Sequence, residues 1–297
     1  MPDVMLRAAL LDRGYTGNDL ERMRRSGELT RLRRGAYTWP VDDLSPEARH
    51  RQLVAATVLQ LRAPATVSHL SAAMLHGLPV WSDGLDPVHL TRPRVGGGKA
   101  RTLLRIHTSD LAPEEVVLLD GIPVTSLART VGDLGRSLPL DQAAAAGDRA
   151  LRDGLRRADL EMALDRCRRW PGIARAILMA RLLDERSESA GESVSRIRMH
   201  EAGLPAPEPQ FSVYDDRGRL VGRADFGWRE QKVLGEFDGR VKYGRLLKPG
   251  QSVEDIVYRE KLREDALRDL GWRVVRWTWP DLYPGDVMVA RLLRALG

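Results

Sequence analysis

The sequence predicts an α/β protein of more than one domain. Its 297 residues are about twice the length of a common domain. Segments of helical periodicity alternate with short, β-patterned segments along the chain. Hydrophobic residues make up 43%, enough to fill a core in each part.

The composition excludes several classes. Lys and Arg number 47 against 41 Asp and Glu, a net charge of +6 that permits a nucleic-acid partner without demanding one. The single cysteine, Cys167, rules out an intramolecular disulfide framework and any Cys-rich zinc site, and fits a reducing, cytoplasmic setting. The N-terminus carries Asp3 and Arg7 with no long apolar block, so no signal peptide is expected. The longest stretch without a formal charge, Ala63 to Ser82, contains Pro64, His69, His76, Gly77 and Pro79, a poor membrane helix. No membrane partner is expected.

Residues 1–43 read as a small basic unit. Val4 to Arg13 has a helical pattern, Gly14 closes it, and Thr16 caps a second helix, with Asn18 or Asp19 as rival caps. That helix, roughly Asp19 to Ser26, stops at Gly27. Two short strands, Leu29 to Leu32 and Ala36 to Trp39, are joined by Arg33-Arg34-Gly35. Helix, turn, helix and tight hairpin is the order of a winged helix-turn-helix. Arginines 22, 24, 25, 31, 33 and 34 face one acid, Glu28, in that stretch. A helix bearing Arg22 and Arg25 fits a major groove, and Arg31, Arg33 and Arg34 on the wing fit phosphate or the minor groove of duplex DNA. A solvated basic face is the plainer alternative. The run from Gly27-Glu28-Leu29 to Arg33-Arg34-Gly35-Ala36-Tyr37 resembles the end of the winged-helix domain that opens AbiEi-like type IV antitoxins. Only two helices precede the wing here. Either the usual first helix is missing, or the helix starting at Ser45-Pro46 supports the domain instead.

Residues 44–184 read as a mixed α/β middle domain. A helix runs from Ser45-Pro46 to about Arg62, and another spans Val67 to His76. Strands cover Pro87 to Thr91 and Leu103 to His107, separated by a loop with Gly96-Gly97-Gly98 that lacks the context of a phosphate loop. A helix begins near Ser126, and helices fill Asp141 to Leu183 with a break at Pro171-Gly172. Ser68-His69-Leu70-Ser71-Ala72-Ala73, His76-Gly77-Leu78-Pro79, Pro123-Val124-Thr125-Ser126 and Arg129-Thr130 before Asp133 are similar to the central region of the same antitoxins. That resemblance implies a regulator that represses its own operator and neutralises a nucleotidyltransferase-like toxin. His69 and His76 lie about 10 Å apart along a helix, too far to share one metal ion, and are expected to hydrogen-bond within the domain. Arg129 offers either a phosphate contact or a pair with Asp133 one turn on.

Residues 185–297 carry the densest chemistry. A helix spans Glu188 to Ala202, and Pro205, Pro207 and Pro209 form a stiff connector. Strands Gln210 to Tyr214 and Arg219 to Asp225 make a hairpin, Lys232 to Phe237 is a third strand, Asp255 to Leu270 a helix, and Trp272 to Trp279 a last strand. Alternation puts Glu236 and Asp238 on one side of their strand, near the end of the strand carrying Asp225. Converging carboxylates point to a hard divalent cation, with Glu192 as a fourth acid. Glu192-Ser193-Val194-Ser195-Arg196, Arg223-Ala224-Asp225, Glu236-Phe237-Asp238-Gly239 and Arg263-Glu264 to Gly271-Trp272-Arg273-Val274-Val275-Arg276 resemble the PD-(D/E)XK nuclease fold, in its mismatch-repair-endonuclease-like branch. The resemblance implies Mg²⁺ or Mn²⁺ held by Asp225 and Glu236, and a lysine two residues after the Glu acting on the attacking water. Asp238 stands where that lysine would be. Lys242 in the following loop and Lys261 on the next helix are the substitutes, although Lys261 also has Asp265 within i+4 reach. The departure bears on cleavage more than on metal binding. Two functions follow: a DNA-binding regulator, or a Mg²⁺-dependent endonuclease targeted by the basic head. Trp272, Trp277 and Trp279 are expected in the core, with base stacking as the alternative.

Overall fold

The computed structural model describes residues 4–81, 85–93, 99–101, 103–239, 253–283 and 287–297. It is a mixed α/β protein whose described strands form three sheets. Two compact units divide the chain, one of residues 1–138 and 154–180, the other of 139–153 and 181–297. The expected boundary at 43/44 thus falls inside the first unit, and residues 139–153 and 181–184 of the expected middle domain join the second.

The first unit opens with β1 (Met5–Leu6), α1 (Arg7–Asp12), α2 (Gly17–Ser26), β2 (Thr30–Arg33) and β3 (Ala36–Thr38). The expected first helix is shorter than its pattern, because Met5 and Leu6 pair with Tyr37 and Ala36 as an added strand. The sheet order is β1-β3-β2. Leu10, Leu20, Met23 and Leu29 close a small core beneath it. The Thr16 hydroxyl accepts the Asp19 N–H at 3.1 Å while the Asp19 carboxylate accepts the Thr16 N–H at 2.9 Å, a reciprocal cap for α2. Gly27, at φ 81°, ends it.

α3 (Pro46–Leu59) packs on β1 and β2. The Gln60 amide donates to the Arg34 carbonyl at 2.9 Å, so this helix backs the hairpin. A six-stranded sheet follows, in the order β6-β7-β5-β4-β9-β8. Its strands are β4 (Thr66–Val67), β5 (Val88–Arg92), β6 (Lys99–Arg101), β7 (Leu104–Thr108), β8 (Val116–Leu119) and β9 (Ile122–Thr125). The two expected strands, β5 and β7, pair in parallel. β6 pairs antiparallel with β7, and Gly96 to Gly98 lie outside the described residues. Val54, Val67, Leu90 and Val124 anchor the core. α4 (His69–Leu75), α5 (Leu127–Ser137), α7 (Arg157–Arg166) and α8 (Ile173–Leu182) complete the unit.

The second unit contains α6 (Leu140–Arg152) and α9 (Ala190–Glu201), then β10 (Glu208–Tyr214), β11 (Leu220–Trp228), β12 (Val233–Phe237), α10 (Val253–Asp269), β13 (Arg273–Trp277), α11 (Trp279–Leu282) and α12 (Val287–Leu296). The sheet order is β10-β11-β12-β13, with the first two pairings antiparallel and the last parallel. Pro209 lies within β10 rather than in a connector, which the edge position of that strand tolerates. Trp277 is buried and donates its Nε1–H to Ser195 Oγ at 2.7 Å, while buried Trp272 packs on Phe211. Trp279 meets Phe237 edge-on in α11, beyond the strand. No described helix is long and apolar enough to cross a membrane.

Candidate functional site

The basic head presents its arginines unequally. Leu20 and Met23 turn inward on α2, which leaves Arg22 and Arg25 outward, each side chain 75% exposed. Arg22 pairs with Asp19 at 3.1 Å and Arg25 with Glu21 at 3.2 Å. Pairs this open to water contribute little, so a phosphate can replace them. Arg31 on β2 and Arg34 at the turn are also exposed. Arg33 differs from the sequence expectation. It is half-buried and its Nη1 donates to Thr57 Oγ1 of α3, so it holds the hairpin against the helix instead of extending from its tip.

A second cluster lies under α4 and α5. Arg129 is 2% exposed and donates to Asp133 at 2.9 Å, the one-turn pair its spacing offers, and also to Glu115 at 3.1 Å and Ser109 Oγ at 3.3 Å. Arg136 reaches the other Asp133 oxygen at 2.9 Å. Burial pushes the Asp133 carboxyl up, and the two guanidiniums pull it down.

Against this network stand His69, His89 and His107, from the start of α4, from β5 and from β7. Sequence spacing paired His69 with His76 only to reject a shared metal. His76 indeed turns away and contacts the Thr125 carbonyl at 2.8 Å. The true neighbours of His69 arrive through strand pairing 20 and 38 residues further on, beyond any local periodicity. Burial lowers all three imidazole pKa values, to about 3 for His89 and about 4 for His107, and well below the usual range for His69. The three rings are neutral at physiological pH.

The third cluster is the acidic one of the second unit. Asp225 on β11 accepts the Phe237 N–H at 2.7 Å. Burial raises its pKa to about 6 against the pull of that hydrogen bond, and the charges of Glu192, Glu236 and Glu188 push the same way. These acids are therefore neighbours, as their order along the chain suggested. Glu192 is 6% exposed and accepts from Ser189 Oγ at 2.7 Å, the Glu188 N–H at 2.9 Å and the Gln210 amide at 2.8 Å. Glu236 receives Arg263 on one oxygen at 2.7 Å and Arg276 on the other at 2.9 Å. Asp238 lies past the end of β12, exposed, with its N–H donated to the Trp277 carbonyl at 2.8 Å.

Among the described residues, the cations that meet Glu236 are thus Arg263 and Arg276. Lys261 is exposed, and at 100° per residue it stands about 160° round α10 from Arg263, off the face that meets the strands. Lys242 lies outside the described residues. Among the described residues, no three of Glu192, Asp225, Glu236 and Asp238 bring carboxylate oxygens within 4.8 Å of one another. The three histidines do meet that spacing.

Fold and clusters together define a multidomain α/β protein with a basic head, a buried histidine group and an acid–arginine site. No family model matches the chain. It is 31% identical over 215 residues to the uncharacterized proteins MT2308 and Rv2248 of Mycobacterium tuberculosis, an alignment covering 71% of this chain and 72% of each relative. The chain belongs to the family of these two proteins. The crystal structure of RV2827C protein from Mycobacterium tuberculosis is similar at a TM-score of 0.43 and 13% identity, over 72% of this chain and 84% of that one.

Proposed function

We propose that the protein is a duplex-DNA-binding regulator built like an AbiEi-type antitoxin, with a winged-helix head and a tail of PD-(D/E)XK type. The observation that carries this reading is the head: a β1-β3-β2 sheet joined to a capped helix-turn-helix, with Arg22, Arg25, Arg31 and Arg34 exposed. In this reading α2 enters the major groove and the hairpin meets the backbone. α3 takes the supporting place of the helix that the short head lacks. The partners that the resemblance implies are an operator and a nucleotidyltransferase-like toxin, in the cytoplasm. The test is fluorescence anisotropy of the full chain on a duplex from its own upstream region. Arg22→Ala with Arg25→Ala should weaken binding and reduce the log–log salt slope by about 2. Unchanged affinity at every salt concentration rejects the reading.

The second reading is a Mg²⁺- or Mn²⁺-dependent endonuclease. It is favoured by Asp225, a partly buried acid raised to about 6 beside Glu192 and Glu236, and by the order α9-β10-β11-β12-α10-β13 that the resemblance implies. The residues present fit a hard cation poorly. Both Glu236 oxygens are taken by guanidiniums, Glu192 is satisfied within the protein, and Asp238 replaces the lysine. Incubation with supercoiled plasmid and either metal distinguishes the two. Nicking by the wild type that is lost in Glu236→Gln supports the nuclease.

A further inference from the structure

We propose that His69, His89 and His107 form a three-histidine site for a transition-metal ion of the Zn²⁺ class, independent of the acidic site in the second unit.

The site follows from how the sheet is threaded. In the parallel pairing of β5 and β7, His89 stands opposite Arg105 and Thr91 opposite His107. Cross-strand partners share a face, and so do residues two apart, so both imidazoles rise on one side of the sheet. β4 flanks β5 on its other edge, and the chain passes from β4 through Ser68 into α4, whose first residue is His69. His69 is held at φ 52°, in the left-handed region that non-glycine residues enter at some cost. Ser68 fixes this corner by donating its N–H to the His89 carbonyl at 3.1 Å and accepting the Thr91 hydroxyl at 2.8 Å. Two neighbouring strands and the corner between β4 and α4 thus deliver three imidazoles to one place.

The spacing suits one ion once one ring turns. Ring centroids lie 5.2 Å apart for His89 and His107 and 5.7 Å for His69 and His89, near the ~5 Å of two imidazoles on one tetrahedral ion, whereas His69 and His107 are stacked at 3.6 Å with their planes 11° apart, so one of these two rings turns about its side-chain bond for both to face the ion. One nitrogen of each ring lies within 4.8 Å of the other two, and His107 Nε2 is 3.1 Å from His89 Nδ1. Tetrahedral zinc with Zn–N bonds near 2.0–2.1 Å separates its ligand nitrogens by about 3.3 Å. A hydrogen bond between two neutral imidazoles uses one proton and one lone pair. A third ring nitrogen in the same space brings a surplus lone pair or a surplus proton. A cation at the centre uses all three lone pairs.

The surroundings fit ligand histidines. His69 Nδ1 faces Ser68 Oγ at 3.1 Å and the Asp133 carboxylate at 4.0 Å. Asp133 is itself fixed by Arg129 and Arg136. Ser68 Oγ, at hydrogen-bond distance, can accept a proton from Nδ1 and so leave Nε2 with the lone pair, while Asp133 is too far to hydrogen-bond and adds only its negative charge. An all-imidazole donor set selects zinc, copper, nickel or iron over Mg²⁺, which takes oxygen ligands. Arg129 and Arg136 are paired with Glu115 and Asp133, but Arg105 adds positive charge on the same face. That field favours an anionic oxygen, such as hydroxide, in the fourth position.

The test is titration of the chelator-stripped full chain with Co²⁺ and Zn²⁺. One equivalent of Co²⁺ should give the intense visible absorption of a tetrahedral site, and Zn²⁺ should displace it. Proton NMR of the Co²⁺ form should show three exchangeable, hyperfine-shifted imidazole N–H signals. His89→Ala or His107→Ala should weaken Zn²⁺ binding by about a hundredfold or more. His76→Gln should leave it unchanged, as should Asp225→Asn with Glu236→Gln. Should the alanine variants fail to fold, the wild-type stoichiometry and the count of shifted N–H signals still decide. No stoichiometric Co²⁺ binding, fewer than three imidazole signals, or loss of binding only in the acidic-site variant would each overturn the proposal.

Discussion

Arg263 on α10 donates from Nη2 to Oε1 of Glu236 on β12 at 2.7 Å, and the same Nη2 also reaches Glu260 at 2.6 Å. Arg276 on β13 takes the other Glu236 oxygen and pairs again with Glu260 and Glu264. The result is a carboxylate–guanidinium lattice that ties α10 to β12 and β13. Hydrogen bonding to Glu260 and Glu236 holds the Arg263 guanidinium firmly in its charged form. The lattice both stabilises the sheet and competes with any metal for Glu236.

From this follows a prediction about metal competition. With Arg263→Met and Arg276→Met together, Glu236 is released and Mn²⁺ binding should tighten by about tenfold, because two local positive charges and two hydrogen bonds are gone. Calorimetry with Mn²⁺ on the double variant and the wild type measures it. Equal, negligible heats in both would show that these acids are purely structural. Glu236→Gln should cost about 1 kcal/mol of stability, since it removes one charged acceptor from each of the two guanidiniums while Glu260 and Glu264 remain.

Asp225 gives a pH dependence of definite sign. Its folded pKa, about 6, stands above the unfolded value near 3.9, so the folded state binds the proton more tightly. Its contribution to stability is full below about pH 4 and is lost as the pH rises through about 6. Because the carboxyl is only partly buried, about 1–2 kcal/mol is the expected size. Asp225→Asn should remove this slope and stabilise the second unit at pH 7.5, measured by hydrogen exchange of β11 and β12 at pH 5 and 7.5. A variant that is less stable than wild type at pH 7.5 would contradict it.

His50 acts in the opposite sense in the first unit. It is 2% exposed, its Nε2 contacts Ser71 Oγ at 2.8 Å, and burial lowers its pKa to about 4 against the pull of Asp86. A base whose folded pKa lies below its unfolded value costs nothing above about pH 6.5 and destabilises as pH falls towards 4. The loss should reach about 2–3 kcal/mol. His50→Gln should reduce but not abolish the acid limb for α3 and α4 in hydrogen exchange between pH 7 and 4.5, because His69, His89 and His107 of the same unit are lowered by burial as well, and an unchanged limb would place the titration wholly in those rings.

How far the sequence reaches depends on whether a feature is local. The α2 cap at Thr16 and its stop at Gly27, the Arg129–Asp133 pair and the neighbourhood of Asp225 and Glu236 all follow from spacings within one element or one hairpin step. The histidine group does not. It needs β5 and β7 to be adjacent and parallel, and β4 to close on β5 from the other side. Arg263 and Arg276 were equally hidden, because the rotation of α10 on its strands decides which of its cations meets Glu236, and spacing along the sequence does not give that rotation. Arg33 shows the same limit. A run of arginines reads as a uniform basic surface until a helix from outside the run supplies Thr57.

That contrast within the head is testable. Arg33→Ala should lower stability by about 1 kcal/mol through its lost contact with Thr57 and leave the salt slope of DNA binding almost unchanged. Arg34→Ala should do the reverse, with stability unchanged within about 0.5 kcal/mol and the slope reduced by about 1. Denaturant melts and anisotropy across a salt series separate the two. Equal losses of slope would return Arg33 to the DNA-facing surface.

The last prediction concerns the join between α9 and the sheet. Gly191 lies in the first turn of α9, and a Cβ built there would come within 1.9 Å of the Phe237 ring, with two further ring carbons at 2.2 and 2.5 Å. No rotamer change at a single methyl relieves an overlap of that depth, and the ring has little room to retreat, since it meets Trp279 edge-on at 5.2 Å. Either the helix moves out or Phe237 swings away. Each outcome disturbs β12 at the residue whose N–H is bonded to Asp225, with Glu236 next to it. Gly191→Ala should therefore destabilise the second unit by about 2–3 kcal/mol, although alanine is the better helix former by about 1 kcal/mol. Pairing it with Phe237→Leu should recover part of the loss by removing the ring. If Gly191→Ala alone is neutral or stabilising in denaturant melts, α9 does not sit against Phe237 as described, and the placement of Glu192 beside Asp225 falls with it.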